Sequence, residues 1–122
     1  MRRAFGLFVF IFVLACNLCS CAQQKLTAAA ATAHVGERAT VCGRVAGVHH
    51  AISSKGQPTF INLDQPYPNQ LFQIVIFGND LANFENPPQK YSGKKVCVTG
   101  TIQIFKVAPE IVAHDSSAIE LQ

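Results

Sequence analysis

No stretch of the sequence is apolar for long enough to cross a bilayer. The longest run, Ala4 to Ala15 (AFGLFVFIFVLA), falls well short of the roughly 20 residues that a spanning helix needs. Charge of one sign is equally scarce. The formal net charge is +3, and Arg2 and Arg3 supply two of those positive charges, so the chain beyond Ser20 stands at +1. A near-neutral domain lacks the field of a dedicated duplex-DNA binder. Past the leader there is no Cys-x-x-Cys or His-x-x-x-His spacing among His34, His49, His50, His114 and the cysteines. Neighbouring residues of an extended chain point opposite ways, so His49 and His50 do not share one ion. No metal and no other cofactor is expected. Ser53, Ser54 and Lys55 lack a nucleophile elbow or an S-x-x-K frame. Asp64 and Asp80 show no paired-carboxylate spacing, and Cys42 and Cys97 lie mid-strand, away from an activating helix N-terminus. An enzyme is not expected.

What is present begins with a leader. Arg2 and Arg3, a short apolar core and a small-residue, Cys-rich exit (CNLCSCA) read as a secretory signal over 1–21; an anchor helix is the alternative. Leu18-Cys19-Ser20-Cys21 resembles a bacterial lipobox, with Cys19 departing from the usual residue. Val13-Leu14-Ala15-Cys16 is a second imperfect match, and Ser20-Cys21-Ala22 also passes as an ordinary signal-peptidase exit. Cysteine parity favours Cys21 as the lipidated residue. Maturation there leaves Cys42 and Cys97, whereas maturation at Cys16 leaves two extra thiols in an oxidising compartment. The expected location is therefore the periplasm, or a membrane held through the lipid. Residues 22–122 suffice for a single domain with one core.

That domain reads as strands. Thr27 can cap a short helix (TAAAATAHV), since its hydroxyl accepts from a free N–H of the first turn, and Gly36 can stop it. A flexible Ala-rich tether is the alternative. Five strands follow, over 38–48, 59–64, 71–77, 94–105 and 110–114. In the second and third, Ile61, Leu63, Phe72, Ile74 and Ile76 fall on one side; Phe60, Asn62, Gln73, Val75 and Phe77 fall on the other. In the fourth, Val96, Val98, Ile102 and Ile104 alternate with Cys97, Thr99, Thr101 and Gln103. A Gly inside the first and fourth strands marks sharp bends. The expectation is all-β, a five-stranded OB-fold barrel with a short N-terminal helix. An SH3-like barrel or a small sandwich is the alternative.

The segments FINLD and FQIVIF resemble strands two and three of OB modules, such as the anticodon-binding domains of aspartyl- and lysyl-tRNA synthetases. The wider frame, HVGERATVCGRV, PTFINLDQPYPNQLFQIVIFG, GKKVCVTGTI and PEIVAHDSSAIEL, is similar to bacterial secreted OB domains found alone or beside extracellular nucleases. The resemblance implies a ligand face on the outside of strands two and three. There Phe60 stacks on a base, Asn62 and Gln73 meet base edges, Val75 completes the face, and Arg44, Lys55 and Lys106 meet phosphates. The implied partners are single-stranded nucleic acid, a secreted nuclease or envelope protein, and a membrane reached by the lipid anchor. The competing assignment packs Phe60 and Phe77 under a flanking loop or the N-terminal helix, leaves the lysines as solvated surface, and gives an envelope module for a protein, saccharide or small ligand. In an OB barrel the first and fourth strands are antiparallel neighbours, which implies a Cys42–Cys97 disulfide.

Overall fold

The computed structural model describes Gly6, residues 25–106 and residues 108–122. The expected leader over 1–21, other than Gly6, and with it the lipidation candidate Cys21, lies outside the described residues.

One strand organises the sheet. β2 (Arg38–His50) is 13 residues long and has three partners. Its first half pairs antiparallel with β5 (Lys95–Thr101), from Arg38 opposite Thr101 to Arg44 opposite Lys95. Its second half pairs antiparallel with β3 (Thr59–Leu63), and β1 (Lys25–Thr27) runs parallel beside Thr40–Cys42. The change of partner coincides with a register shift between Val45 and Gly47, a bulge of the kind that bends a strand. Asp64 holds the bend. Its backbone N–H donates to the Arg44 carbonyl at 2.8 Å, and its Oδ1 accepts from the Arg44 N–H at 3.0 Å. Gly43 makes room for this clamp, because a Cβ there would stand 2.9 Å from Asp64 Oδ1.

From β3 the sheet continues antiparallel to β4 (Phe72–Ile76), then parallel to β7 (Ala108–Val112), which pairs antiparallel with β6 (Gln103–Phe105). β8 (Ile119–Leu121) closes the other flank on β5. The hydrogen-bonded order is β6-β7-β4-β3-β2-β5-β8, a mixed eight-stranded sheet with open ends. The all-β expectation stands; the expected five-stranded closed barrel is not what the ladders form. The predicted fourth strand breaks at Ile102, whose backbone turns to the segment before β2: its N–H donates to Glu37 O at 2.9 Å and its carbonyl accepts from Gly36 at 2.7 Å. Ile102 itself is fully buried, yet Ile104, predicted on the same inner side, is half exposed, because β6 overruns the core.

The core side of the sheet is filled by Val41, Val45, Ile61, Leu63, Phe72, Ile74, Ile76, Val96, Val98 and Ile111. The expected N-terminal helix is a 3-10 helix, Ala29–His34, with Thr27 Oγ1 accepting from Ala30 N–H at 3.2 Å. So short a segment gains little from α-helical propagation. Gly36 follows with φ of 90°, the left-handed conformation that glycine adopts without a Cβ penalty. The 78–91 connection carries two further 3-10 turns, Gly78–Asn83 and Pro88–Tyr91.

Cys42 and Cys97 are register partners on β2 and β5, their Cα atoms 4.1 Å apart, and a disulfide joins them. They lie on the parity opposite the buried Val41, Val96 and Val98. The bridge closes a loop with a sequence separation of 55. A Cys42→Ala/Cys97→Ala protein should lose about 4 kcal/mol of unfolding free energy on chain-entropy grounds, read by urea denaturation. A loss under about 1 kcal/mol would show that residual structure already restricts the unfolded chain without the bridge.

Candidate binding face

The period-two pattern places a polar row on the non-core side of the sheet. Register partners run Gly47–Asn62–Gln73–Glu110–Gln103 across β2, β3, β4, β7 and β6. Three of these side chains are joined: Gln73 Nε2 donates to Glu110 Oε1 at 3.0 Å, and Gln103 Nε2 donates to Glu110 Oε2 at 3.2 Å. Gln70, in the β3–β4 loop, donates to Gln73 Oε1 at 3.2 Å. Asn62 Oδ1 and Gln70 Oε1 are buried without a hydrogen-bond partner. Alongside runs a second register row, His49–Phe60–Val75–Val112, largely apolar.

This face is recessed, whereas the sequence reading had it open to solvent. Asn62 is 4% exposed, Gln73 5%, Glu110 3% and Val75 2%; Phe60 is half-buried. The parity assignment is right and the exposure is not. β4 has partners on both edges, β3 and β7, and Gln70 brings the β3–β4 loop down onto Gln73. Phe77 lies against the β2–β3 loop at Gly56, where a Cβ would come within 3.0 Å of its ring.

The three predicted cations separate. Arg44 is opposite Lys95 on the β2–β5 side of the sheet, and its Nη1 donates to the Gly93 carbonyl at 2.7 Å, so it is held apart from the β3–β4 row. Lys55 is exposed in the β2–β3 loop. Lys106 is exposed at the β6–β7 turn with φ of 57°, its Nζ 5.7 Å from the centroid of the Phe105 ring. Phe105 and Ile104 are each 50% exposed and form an apolar rim that sequence reasoning missed, having placed Ile104 inside. Glu110 was also missed as a site residue. Its signal was its parity opposite Ile111, which is fully buried.

Gln103 also lines a cleft of about 530 Å³ with Arg38, Thr99, Thr101, His114 and Asp115. Asp115 caps the 3-10 turn Ser116–Ala118 (SSA). The Ser117 hydroxyl, and then its backbone N–H at 2.8 Å, hold the Asp115 carboxyl below the usual carboxylate range. His114 Nδ1 lies 2.8 Å from Asp80 Oδ2. A second groove of about 340 Å³ is bounded by His50, Thr59, Leu81, Phe84 and Pro88. Among the described residues, no group of three or more His, Cys, Asp or Glu side chains is arranged to hold a metal.

No protein-family model and no curated protein sequence matches the chain. Among solved structures it is similar to a chain described as an aspartyl-tRNA synthetase from Leishmania major Friedlin. The match has a TM-score of 0.50 at 12% identity and covers 86% of this chain. It shows a shared fold. The chain spans 22% of that protein's length.

A depressed carboxyl pKa contributes stability above the ordinary range and loses it as pH falls through the lowered value. Ser117→Ala should therefore move the Asp115 titration midpoint up toward that of an ordinary aspartate, as followed by carboxyl NMR. An unchanged midpoint would mean that the hydroxyl does not set it.

Proposed function

We propose that the chain is an exported, non-catalytic OB-fold binding module that takes single-stranded nucleic acid or nucleotides weakly on the β3–β4–β7 face. In this reading β2, β3, β4, β5 with β6, and β7 are the five OB strands. The break at Ile102 is an interruption of the fourth, and β5 and β6, separated only by that residue, bring the two flanks of the sheet together. The fold shared with part of a tRNA synthetase supports it. The observation that carries the ligand assignment is the register row of amides around Glu110, bordered by Phe105 and Lys106 at the β6–β7 turn. Amide and carboxylate side chains read base edges, aromatic faces stack bases, and rim cations meet phosphates. Stacking passes from the half-buried Phe60 to the exposed Phe105, and phosphate contact from Arg44 to Lys106 and Lys55.

A second reading rests on the cleft. Its hydroxyls from Thr99, Thr101 and Ser117, beside Arg38, are suited to an envelope saccharide or small polar ligand. The disulfide is compatible with an oxidising, exported location. We assign that location to the bacterial periplasm or a membrane surface, through lipidation at Cys21, with a secreted nuclease or envelope protein as partner. One acyl chain anchors only marginally and several hold firmly, so Cys21→Ala should shift the protein from the membrane to the soluble fraction. An unchanged membrane fraction would dispose of the anchor.

For the ligand, fluorescence anisotropy of the full chain with a labelled single strand should give a Kd of about 1–100 μM at physiological salt. Phe105→Ala should weaken this by about 1–3 kcal/mol with little sequence dependence. Lys106→Ala should reduce the slope of log K against log salt by about 1. No binding even at low salt would reject the nucleic-acid reading in favour of the cleft.

A further inference from the structure

Large exposed apolar side chains gather at one end of the sheet. Four of the eight found among the described residues, Val35, Leu71, Ile104 and Phe105, belong there, each between 41% and 50% exposed. Ile104 and Phe105 end β6, an outer strand of the sheet whose ladder partner is β7. The Gly36 N–H donates to the Ile102 carbonyl at 2.7 Å, which brings Val35 beside the start of β6. The β4–β7 register, carried back from Gln73–Glu110, sets Leu71 in line with Ala108, and Ala108 is the partner of Phe105. Exposed apolar residues scattered singly need no explanation, but a gathered set marks an interaction surface.

Direction and charge together say what covers this end. Neighbouring residues of a strand point to opposite faces, so Ile104 and Phe105 expose apolar groups on both sides of the β6–β7 hairpin. A stacked base covers one side; lipid surrounds both. From Gln103 to Pro109 (QIFKVAP) the only charged residue is Lys106, which is exposed, its Nζ 5.7 Å from the Phe105 ring centroid. The flanking acids are spoken for: Glu37 is paired with His34, and Glu110 is buried. We infer that the β6–β7 hairpin tip inserts into an anionic lipid surface, Ile104 and Phe105 entering the acyl boundary and Lys106 staying at the headgroups. Buried apolar area and a lysine near anionic lipid each add to such binding, and the long lysine stem lets the ammonium reach back to water. The inference goes beyond the nucleic-acid reading, which uses Phe105 in solution, and does not depend on lipidation at Cys21.

The sequence has no Trp, so Phe105→Trp in the full chain reports on this tip alone. With vesicles of phosphatidylglycerol and phosphatidylcholine, its emission should shift to shorter wavelength and be quenched by brominated acyl chains. The effect should be weaker on phosphatidylcholine alone. Ile52→Trp, in the exposed β2–β3 loop, should stay unquenched on the same vesicles, which separates insertion of the tip from attachment through the leader. Adding Ile104→Asp to the Phe105→Trp reporter should abolish the quenching and leave the melting temperature little changed, because the side chain is half exposed on an outer strand. An emission that ignores vesicles, equal quenching of both reporters, or equal insertion on phosphatidylcholine alone would overturn the inference. So would quenching that survives Ile104→Asp in folded protein, or a shift that follows protein concentration without lipid, which would give the tip to a second copy of the chain. None of these outcomes alters strand binding measured without vesicles, so the nucleic-acid reading stands or falls separately.

Discussion

The structure depends on the bend in β2. β2 serves β5 and β1 along its first half and β3 along its second, and the change of partner coincides with the register shift between Val45 and Gly47. Three local features hold the bend. The Asp64 carboxylate and backbone clamp Arg44, the missing side chain of Gly43 admits Asp64, and the Cys42–Cys97 bridge ties the first half to β5. In a chain with so small a core, one covalent tie and one specific polar clamp count for a large share of net stability.

Beyond β2 the sheet continues through β3 to β4, a central strand with β3 on one side and β7 on the other. Side chains on its non-core side are little exposed, and Gln70 of the β3–β4 loop bonds Gln73 there. Buried polar groups are nearly always bonded to protein or to water. Gln73 and Glu110 are bonded within the row, with Gln103 at its exposed end, whereas Asn62 Oδ1 has no protein partner.

A shared fold says little about a ligand, since one fold hosts many activities. The chemistry has to come from the site. A module with little net charge has no strong field to gather a polyanion. On the proposed function, discrimination of a ligand falls to local contacts such as those of the Phe105–Lys106 rim more than to bulk attraction.

Alternation of apolar and polar residues was enough to identify an all-β chain, to place Ile61, Leu63, Ile74, Ile76, Val96 and Val98 inside, and to put Asn62, Gln73 and Val75 on the other side. It also put Cys42 and Cys97 on one parity, because side-chain direction along a strand is a local, two-residue property. Pairing and depth are not local. The short strands β1 and β8 carry only three residues each and acquire strand geometry from their neighbours. The break at Ile102 follows from its backbone bonds to Gly36 and Glu37, more than sixty positions earlier in the chain. Arg44 reads as a free cation until Gly93, brought in from 49 positions away, takes its guanidinium. Glu110 reads as one more acid near the C-terminal end until β4 and β6 bring a glutamine to each of its oxygens. Which side a residue faces was written in the sequence; what it meets there was decided only when distant strands came together.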